Sequence, residues 1–168
     1  MKEVWLALFL LSSFLLYYFL KNKLAVFFPS SKEVIKVVIE LANLKKDDVF
    51  FDLGSGDGRI LIEASKSGAR VFGVEKNKIL NWLAKRKIKK LGLKNVEIIE
   101  GDLFKQDLGK ATVIVAYLSQ FLVEKLERKI EKEVKKGTRI ILVDHKFKNL
   151  KPVLMRRVGL ISVRLYVK

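Results

Sequence analysis

The stretch Asp52-Leu53-Gly54-Ser55-Gly56-Asp57-Gly58 constrains the fold of this chain more than any other. Before it stands Val49-Phe50-Phe51, an apolar, β-branched and aromatic run that reads as a buried strand. After it, Arg59-Ile60-Leu61-Ile62-Glu63-Ala64-Ser65 places apolar residues at helical spacing. Strand, glycine turn and helix start make a small-molecule cradle, because glycine lets the backbone turn tightly and approach a ligand with no Cβ in the way. The helix N-terminus behind the turn adds unpaired N–H groups and the positive end of a dipole.

The rest of the chain continues the alternation. Strands are expected near residues 49–53, 70–75, 95–99, 111–117 and 138–144, and helices near 58–67, 77–91 and 119–136. Ser31 has the chemistry of an N-cap for a helix running to Leu41. Residues 160–167 alternate enough to be an edge strand. The reading is an α/β fold, a Rossmann-like, doubly wound, mostly parallel sheet with its ligands at the carboxyl ends of the strands. Asp52, Glu75, Asp102 and Tyr117 all fall on that edge.

Glycine spacing separates ligand classes. A dinucleotide fold carries G-x-G-x-x-G with pyrophosphate on the helix end. Here the glycines fall at 54, 56 and 58, behind the acidic Asp52. The segment resembles motif I of the class I S-adenosylmethionine-dependent methyltransferases. That resemblance implies a cofactor held by Asp52, Leu53, Gly54, Ser55 and Gly56, and an acid suits its cationic amino group. Arg70-Val71-Phe72-Gly73-Val74-Glu75 ends in a carboxylate able to accept both hydroxyls of a ribose. Val96-Glu97-Ile98-Ile99-Glu100-Gly101-Asp102-Leu103 is a third strand closing on an acid. In the family the residues matching Asp102 and Leu103 face the adenine.

A narrower resemblance rests on Phe28-Pro29-Ser30-Ser31, on Gly73-Val74-Glu75-Lys76-Asn77 and on Gly101-Asp102-Leu103-Phe104. It extends to Leu126-Glu127-Arg128-Lys129-Ile130-Glu131-Lys132-Glu133-Val134-Lys135-Lys136-Gly137-Thr138-Arg139. Together these are similar to one branch of the seven-strand protein lysine methyltransferases. That branch includes mitochondrial enzymes acting on the ATP synthase c subunit and the adenine nucleotide translocase, and small archaeal enzymes of broad specificity. The similarity covers residues 27–145 and implies a protein substrate bearing lysine, which could itself be a membrane protein. It adds Pro29, Ser30, Lys76 and Asn77 to the cofactor-binding set. The chain departs from the pattern at Ala116-Tyr117-Leu118-Ser119-Gln120 and at Leu150, segments that line the substrate side of such folds. Tyr117 reads either as the lining of a methyl-transfer channel or as a buried aromatic at a strand end. Gln120 reads either as a site residue or as a plain helix start. No catalytic triad is visible.

The front of the chain carries a separate message. Residues 4–20 hold no charge and only two serines, Ser12 and Ser13, among Leu, Phe, Val, Trp and Tyr. At 1.5 Å per residue the run is about 26 Å long, close to the ~30 Å hydrocarbon core of a bilayer. Residues 25–28 and snorkelling Lys21 and Lys23 can supply the remainder. A cleaved signal peptide would need a small-residue cleavage site, which Lys21-Asn22-Lys23-Leu24-Ala25 does not provide. The expectation is a transmembrane anchor over residues 1–24 and a methyltransferase domain over residues 25–168. Lys21, Lys23 and Lys32 after the span outweigh Lys2, which Glu3 offsets, so a single-pass anchor would keep the domain in the cytoplasm.

Composition bounds the partners. The formal charge of +16 would draw the domain to an anionic membrane surface, which is preferred over nucleic acid because no RNA-binding module or interleaved aromatic-basic patch stands out. In the helix over 77–91, Leu80, Trp82, Leu83, Ile88 and Leu91 read as the inner face, with lysines outside. Glu124, Glu127, Glu131 and Glu133 read as ordinary helix ion pairs with their basic neighbours. The chain has no cysteine and a single histidine, His145, read as structural, so no metal site is expected. Abundant Lys, Glu and Ile with little Gln point to a thermophilic source. Alternatives outside protein methylation are a membrane-associated small-molecule, lipid or RNA methyltransferase, and an inactive cofactor-binding module.

Overall fold

The computed structural model describes residues 2–22 and 29–168. Residues 23–28, including the expected 24/25 boundary, Lys23 and the Phe27-Phe28 linker, lie outside the described residues, as does the side chain of Lys21. The first helix, α1, is Lys2–Asn22. Its apolar side chains Val4, Trp5, Leu6, Leu8, Phe9, Leu10, Leu11, Phe14, Leu15 and Tyr17 are exposed. Among the described residues no helix is long and apolar enough to cross a membrane. The spanning helix expected over residues 4–20 is therefore met as a helix and not as a span.

From Ser31 onward the elements follow the alternation of the sequence. Ser31 caps α2 (Lys32–Ala42), its hydroxyl accepting from the Val34 N–H at 3.3 Å. Then come β1 (Val49–Leu53), α3 (Arg59–Ser65), β2 (Arg70–Glu75), α4 (Lys78–Lys90), β3 (Val96–Glu100), β4 (Val113–Ala116), α5 (Gln120–Glu133), β5 (Arg139–Val143), β6 (Leu154–Val158) and β7 (Ile161–Val167). The sheet order is β3-β2-β1-β4-β5-β7-β6. β1 to β5 run parallel, and β7 is antiparallel to both of its neighbours.

Successive strand residues point to opposite faces, which divides the core in two. Phe50, Val71, Val113, Val115, Ile141, Val143 and Val163 pack with Val34, Val38 and Leu41 of α2 and Ile60, Leu61 and Ala64 of α3. Phe51, Leu53, Ile114, Ala116, Ile140 and Leu142 pack on the other face with Val123, Leu126 and Ile130 of α5. Phe51 stacks on Phe72 with ring centroids 5.0 Å apart.

The Thr138-Arg139 pair is structural. Arg139 Nη2 binds both oxygens of Asp48 at 2.7 Å, while Nη1 donates to the carbonyls of Ala42 and Asn43. One guanidinium thus fastens the end of α2 to the entrance of β1. The Thr138 hydroxyl donates to the Ala111 carbonyl at 3.0 Å. Burial works to raise the Asp48 carboxyl, but Thr112 and Arg139 hold it below its ordinary range.

Four expectations are corrected. The strand over 160–167 is interior, since β7 pairs with β5 on one side and β6 on the other. The true edge, β6, reads Leu-Met-Arg-Arg-Val and is almost wholly exposed, so it has no inward apolar alternation to betray it. The inner face of α4 is Asn81, Ala84 and Ile88, whereas Trp82 and Leu91 are exposed and Leu80 and Leu83 half-buried. Lys87 on that helix binds Asp57 and is not a free outer charge. On α5, Lys129 and Glu133 do pair at 2.7 Å, but Glu127 is buried and accepts backbone N–H groups instead.

Candidate active site

The turn after β1 has the backbone its glycines permit. Gly54, Gly56 and Gly58 lie at φ +86, +55 and +82, a region that favours glycine. A Cβ on Gly54 would stand 3.1 Å from the Leu118 side chain, so the turn lies close beneath the segment that follows β4. The N–H groups of Gly54 and Ser55 both donate to the Val74 carbonyl, at 2.8 and 3.2 Å. Those two bonds tie the turn to the end of β2.

Glu75 completes that tie. Its Oε2 accepts from the Gly56 N–H at 3.1 Å and its Oε1 from the Asn77 N–H at 2.8 Å. Asn77 caps α4, and the Asn81 amide donates to the Glu75 carbonyl at 2.9 Å. Each carboxylate oxygen has a second lone pair, so Glu75 keeps acceptor capacity for two hydroxyls. Asp57 locks the turn from behind. It takes the Arg59 Nε at 3.0 Å and the Lys87 ammonium at 2.6 Å. Burial pushes the Asp57 carboxyl up, but Lys87 and Arg59 outweigh it and hold the group below its ordinary range.

Asp52 is the site's electrostatic anomaly. It is 2 % exposed, and its Oδ2 has no hydrogen-bond partner among the described residues. Burial first, and then the charge of Glu75, push its carboxyl up to about 8. The Ser55 hydroxyl is likewise buried and unpartnered. Buried polar groups are seldom left unpaired, and orphans clustered in a glycine cradle mark a place for a polar ligand. A ligand with a cationic amine fits there: it would pair Asp52 and return the carboxyl to its charged form.

Leu53 is buried beneath the turn in the α5-side core. Asp102 is exposed and caps the short 3-10 turn Leu103–Lys105, accepting from the Phe104 N–H at 2.9 Å. The Gly101 N–H donates to the Glu75 carbonyl at 3.0 Å, which brings the ends of β2 and β3 together. Leu103 is half-buried against the α5-side core. Ser30 is buried and its carbonyl accepts from Arg59 Nη1 at 3.4 Å, whereas Pro29 and Lys76 are exposed and touch none of these groups through a polar contact. Tyr117 is half-buried on the α2 and α3 side, just past β4, its phenol pushed up by burial and by the charge of Asp144. Gln120 spans to Lys146, donating to its carbonyl at 2.9 Å and accepting from its N–H at 3.4 Å.

Asp57, Lys87 and Gly73 belong to the site and were not singled out from sequence. Gly73 had a signal, since a glycine inside an apolar strand marks a close approach. A Cβ there would lie 2.4 Å from Leu61 Cδ1 and 2.8 Å from the Ser55 hydroxyl. Gly73→Ala should displace Ser55 and cost about 1–3 kcal/mol of stability by overpacking. A thermal melt and a cofactor titration of the variant check it, with loss in both as the expected result.

Comparison with known proteins agrees with this geometry. Residues 52–154 match the family model of the ANTKMT methyltransferase domain. A protein-lysine N-methyltransferase of Saccharolobus islandicus is 38% identical over 122 residues, covering 71% of this chain and 74% of that protein. The lysine N-methyltransferase of the ATP synthase c subunit from Mus musculus is 28% identical over 68% of this chain but only 47% of its own length. Among solved structures, an RNA methyltransferase from Salinibacter ruber in complex with S-adenosyl-L-homocysteine superposes with a TM-score of 0.80 at 33% identity, covering 83% of this chain and 93% of that one. The cradle, its orphaned acid and these matches make S-adenosylmethionine the cofactor, and the chain belongs to the ANTKMT family of S-adenosylmethionine-dependent methyltransferases.

Proposed function

We propose that this protein methylates lysine side chains of other proteins, and that α1 attaches it to a membrane with the catalytic domain on the cytoplasmic side. The observation that carries the enzymatic reading is the buried, unpartnered Asp52 in a chain 38% identical to a protein-lysine N-methyltransferase. Bound S-adenosylmethionine supplies an electrophilic methyl, to which the amine lone pair bonds as the S–C electron pair passes to sulfur. Asp52, Ser55 and Glu75 would hold the cofactor's polar groups, and the Gly54 turn, with Leu118 close above it, would let it lie against the backbone.

Supplying a free amine is the energetic problem. A lysine of pKa about 10.4 is neutral in about one copy in 2,500 at pH 7, a cost of roughly 4–5 kcal/mol. A neighbouring sulfonium and partial burial both lower that pKa, so the last proton can leave to water without a dedicated base. Alignment can then contribute about 7–11 kcal/mol. Tyr117 is assigned to line the approach, a reading supported by its position just past β4, the strand paired with β1.

Support for the membrane reading is the uncharged run at residues 4–20, the exposed apolar side chains of α1 and the charge of +16. Deleting residues 1–24 should yield a protein that leaves the membrane fraction and still binds S-adenosylmethionine. Retention of the truncated form on vesicles would place the attachment in the domain itself.

The direct test is transfer of label from methyl-tritiated S-adenosylmethionine to fractionated lysate of the source organism. Label mapping to lysine in a protein band, concentrated in the membrane fraction, is the expected result. Label in RNA, in line with the Salinibacter ruber neighbour, or in the organic extract, with none in protein, would replace the lysine reading. Cofactor binding with no transfer to any fraction would leave a silent module.

A further inference from the structure

We infer that Asp144, beside Tyr117 at the carboxyl ends of β5 and β4, is the residue that receives the substrate's ammonium group. This rests on the lysine reading above and assigns its recognition residue.

Position is the first support. β4 and β5 pair in register with Ala116 opposite Leu142, so Tyr117 and Asp144 are the residues that emerge as the two strands end. This is the same sheet edge on which Asp52 and Gly54 present the cofactor cradle, with Tyr117 one strand from it and Asp144 two.

Backbone geometry is the second. Asp144 has φ +72, and only one other non-glycine among the described residues, Asn43 at the end of α2, has a positive φ. A conformation of this kind persists where surrounding contacts over-determine it, and such places cluster at functional sites. Here the Asp144 N–H donates to the Ser162 carbonyl at 2.7 Å and its carbonyl accepts from Arg164 Nη1 at 2.7 Å. The next N–H, of His145, donates back to the Val143 carbonyl at 3.0 Å. Beyond it the loop is fixed by Gln120 on Lys146 and by Glu127 on residues 148–150.

Charge is the third. The Asp144 carboxylate is exposed and takes no hydrogen bond or ion pair among the described residues. In a chain of net charge +16, a cationic protein substrate meets general repulsion, which an exposed carboxylate without a hydrogen-bond or ion-pair partner at the reaction edge locally offsets. The two residues follow adjacent paired strands, and the charge of Asp144 reaches the Tyr117 phenol. A carboxylate near an aromatic ring suits an arriving lysine: the ammonium pairs with the acid on entry while its stem lies on the ring. It leaves that pair and gives its proton to water as it advances to the sulfonium.

The test compares wild type, Asp144→Asn and Asp144→Glu on the labelled lysate protein, purified. Asparagine tolerates a positive φ, so the first variant removes charge and keeps the backbone. Cofactor affinity by calorimetry should stay at the wild-type value in both. The melting midpoint should hold in Asp144→Asn but fall slightly in Asp144→Glu, whose longer side chain fits a positive φ less well. KM for the protein substrate should rise about tenfold or more in Asp144→Asn, with kcat little changed, and return most of the way in Asp144→Glu. An unchanged KM in Asp144→Asn, with lysine methylation intact, overturns the assignment and leaves the lysine reading standing. Absence of methyl-lysine from the wild-type reaction overturns the lysine reading, and this inference with it.

Discussion

Asparagine in place of Asp52 should leave a folded domain that holds S-adenosylmethionine at least about a hundredfold more weakly, because a buried cofactor ammonium loses its charged partner, a change worth about 2–5 kcal/mol. The same carboxyl makes two effects of pH. Without cofactor its pKa is raised from 3.8 to about 8. A group raised on folding binds more protons folded than unfolded, so its contribution is fully present below pH 4 and is lost as pH rises through about 8. The loss is on the order of 6 kcal/mol at most. The cofactor-free wild type should therefore melt progressively lower from pH 5 to pH 9, and Asp52→Asn should lack that component of the slope.

Cofactor binding runs the other way. Pairing with an ammonium favours the charged carboxylate, so binding below pH 8 must expel a proton. Affinity should climb toward pH 8 by up to about tenfold per pH unit. Calorimetry in buffers of different ionisation enthalpy reads the released proton directly. Equal affinity in wild type and Asp52→Asn, or heats independent of buffer at pH 6, would remove Asp52 from the cofactor site.

The second large effect belongs to Glu127, on the helix that covers the other face of the sheet. It is 2 % exposed on α5, and its carboxylate accepts the N–H groups of Lys148, Asn149 and Leu150 at 3.0, 2.8 and 2.9 Å. Three charge-assisted bonds hold the loop that follows β5 against the helix. Glu127→Ala should cost about 3–5 kcal/mol, since the helix side closes that space to water while the loop side leaves some amides free to find it. At this chain length the melting midpoint falls by about 10 °C. Glu127→Gln should fall nearly as far, because one oxygen becomes an NH₂ aimed at N–H donors. Hydrogen exchange at residues 148–150 should accelerate in both. A midpoint within about 2 °C of wild type in Glu127→Ala would mean that solvent replaces all three bonds.

Much of the cofactor side was legible because its signals are local. Gly54, Gly56 and Gly58 adopt the backbone that only glycine takes easily, and Ser31 and Asn77 sit where helices start. Glu75 stands at the end of its strand as the alternation of the chain implied. The substrate side was much less legible. Glu127 and Glu133 lie on the same helix in the same basic company, yet one is a buried acceptor and the other an exposed ion-pair partner. Nothing in their spacing tells them apart, because the loop that covers Glu127 is more than a turn of helix and a strand away in sequence.

Short-range chemistry along the chain settles the order of strands and helices, the glycine turn between β1 and α3 and the acids that close the first three strands. Each of these follows from period, residue chemistry or allowed φ over a few consecutive residues. Long-range packing settles that β7 inserts between β5 and β6, that Lys87 serves Asp57, that Asp52 is sealed from water within reach of the Glu75 charge, and that Tyr117 and Asp144 end neighbouring strands. Those outcomes depend on which distant residue arrives as a neighbour, and burial and pairing energies have no value until it does.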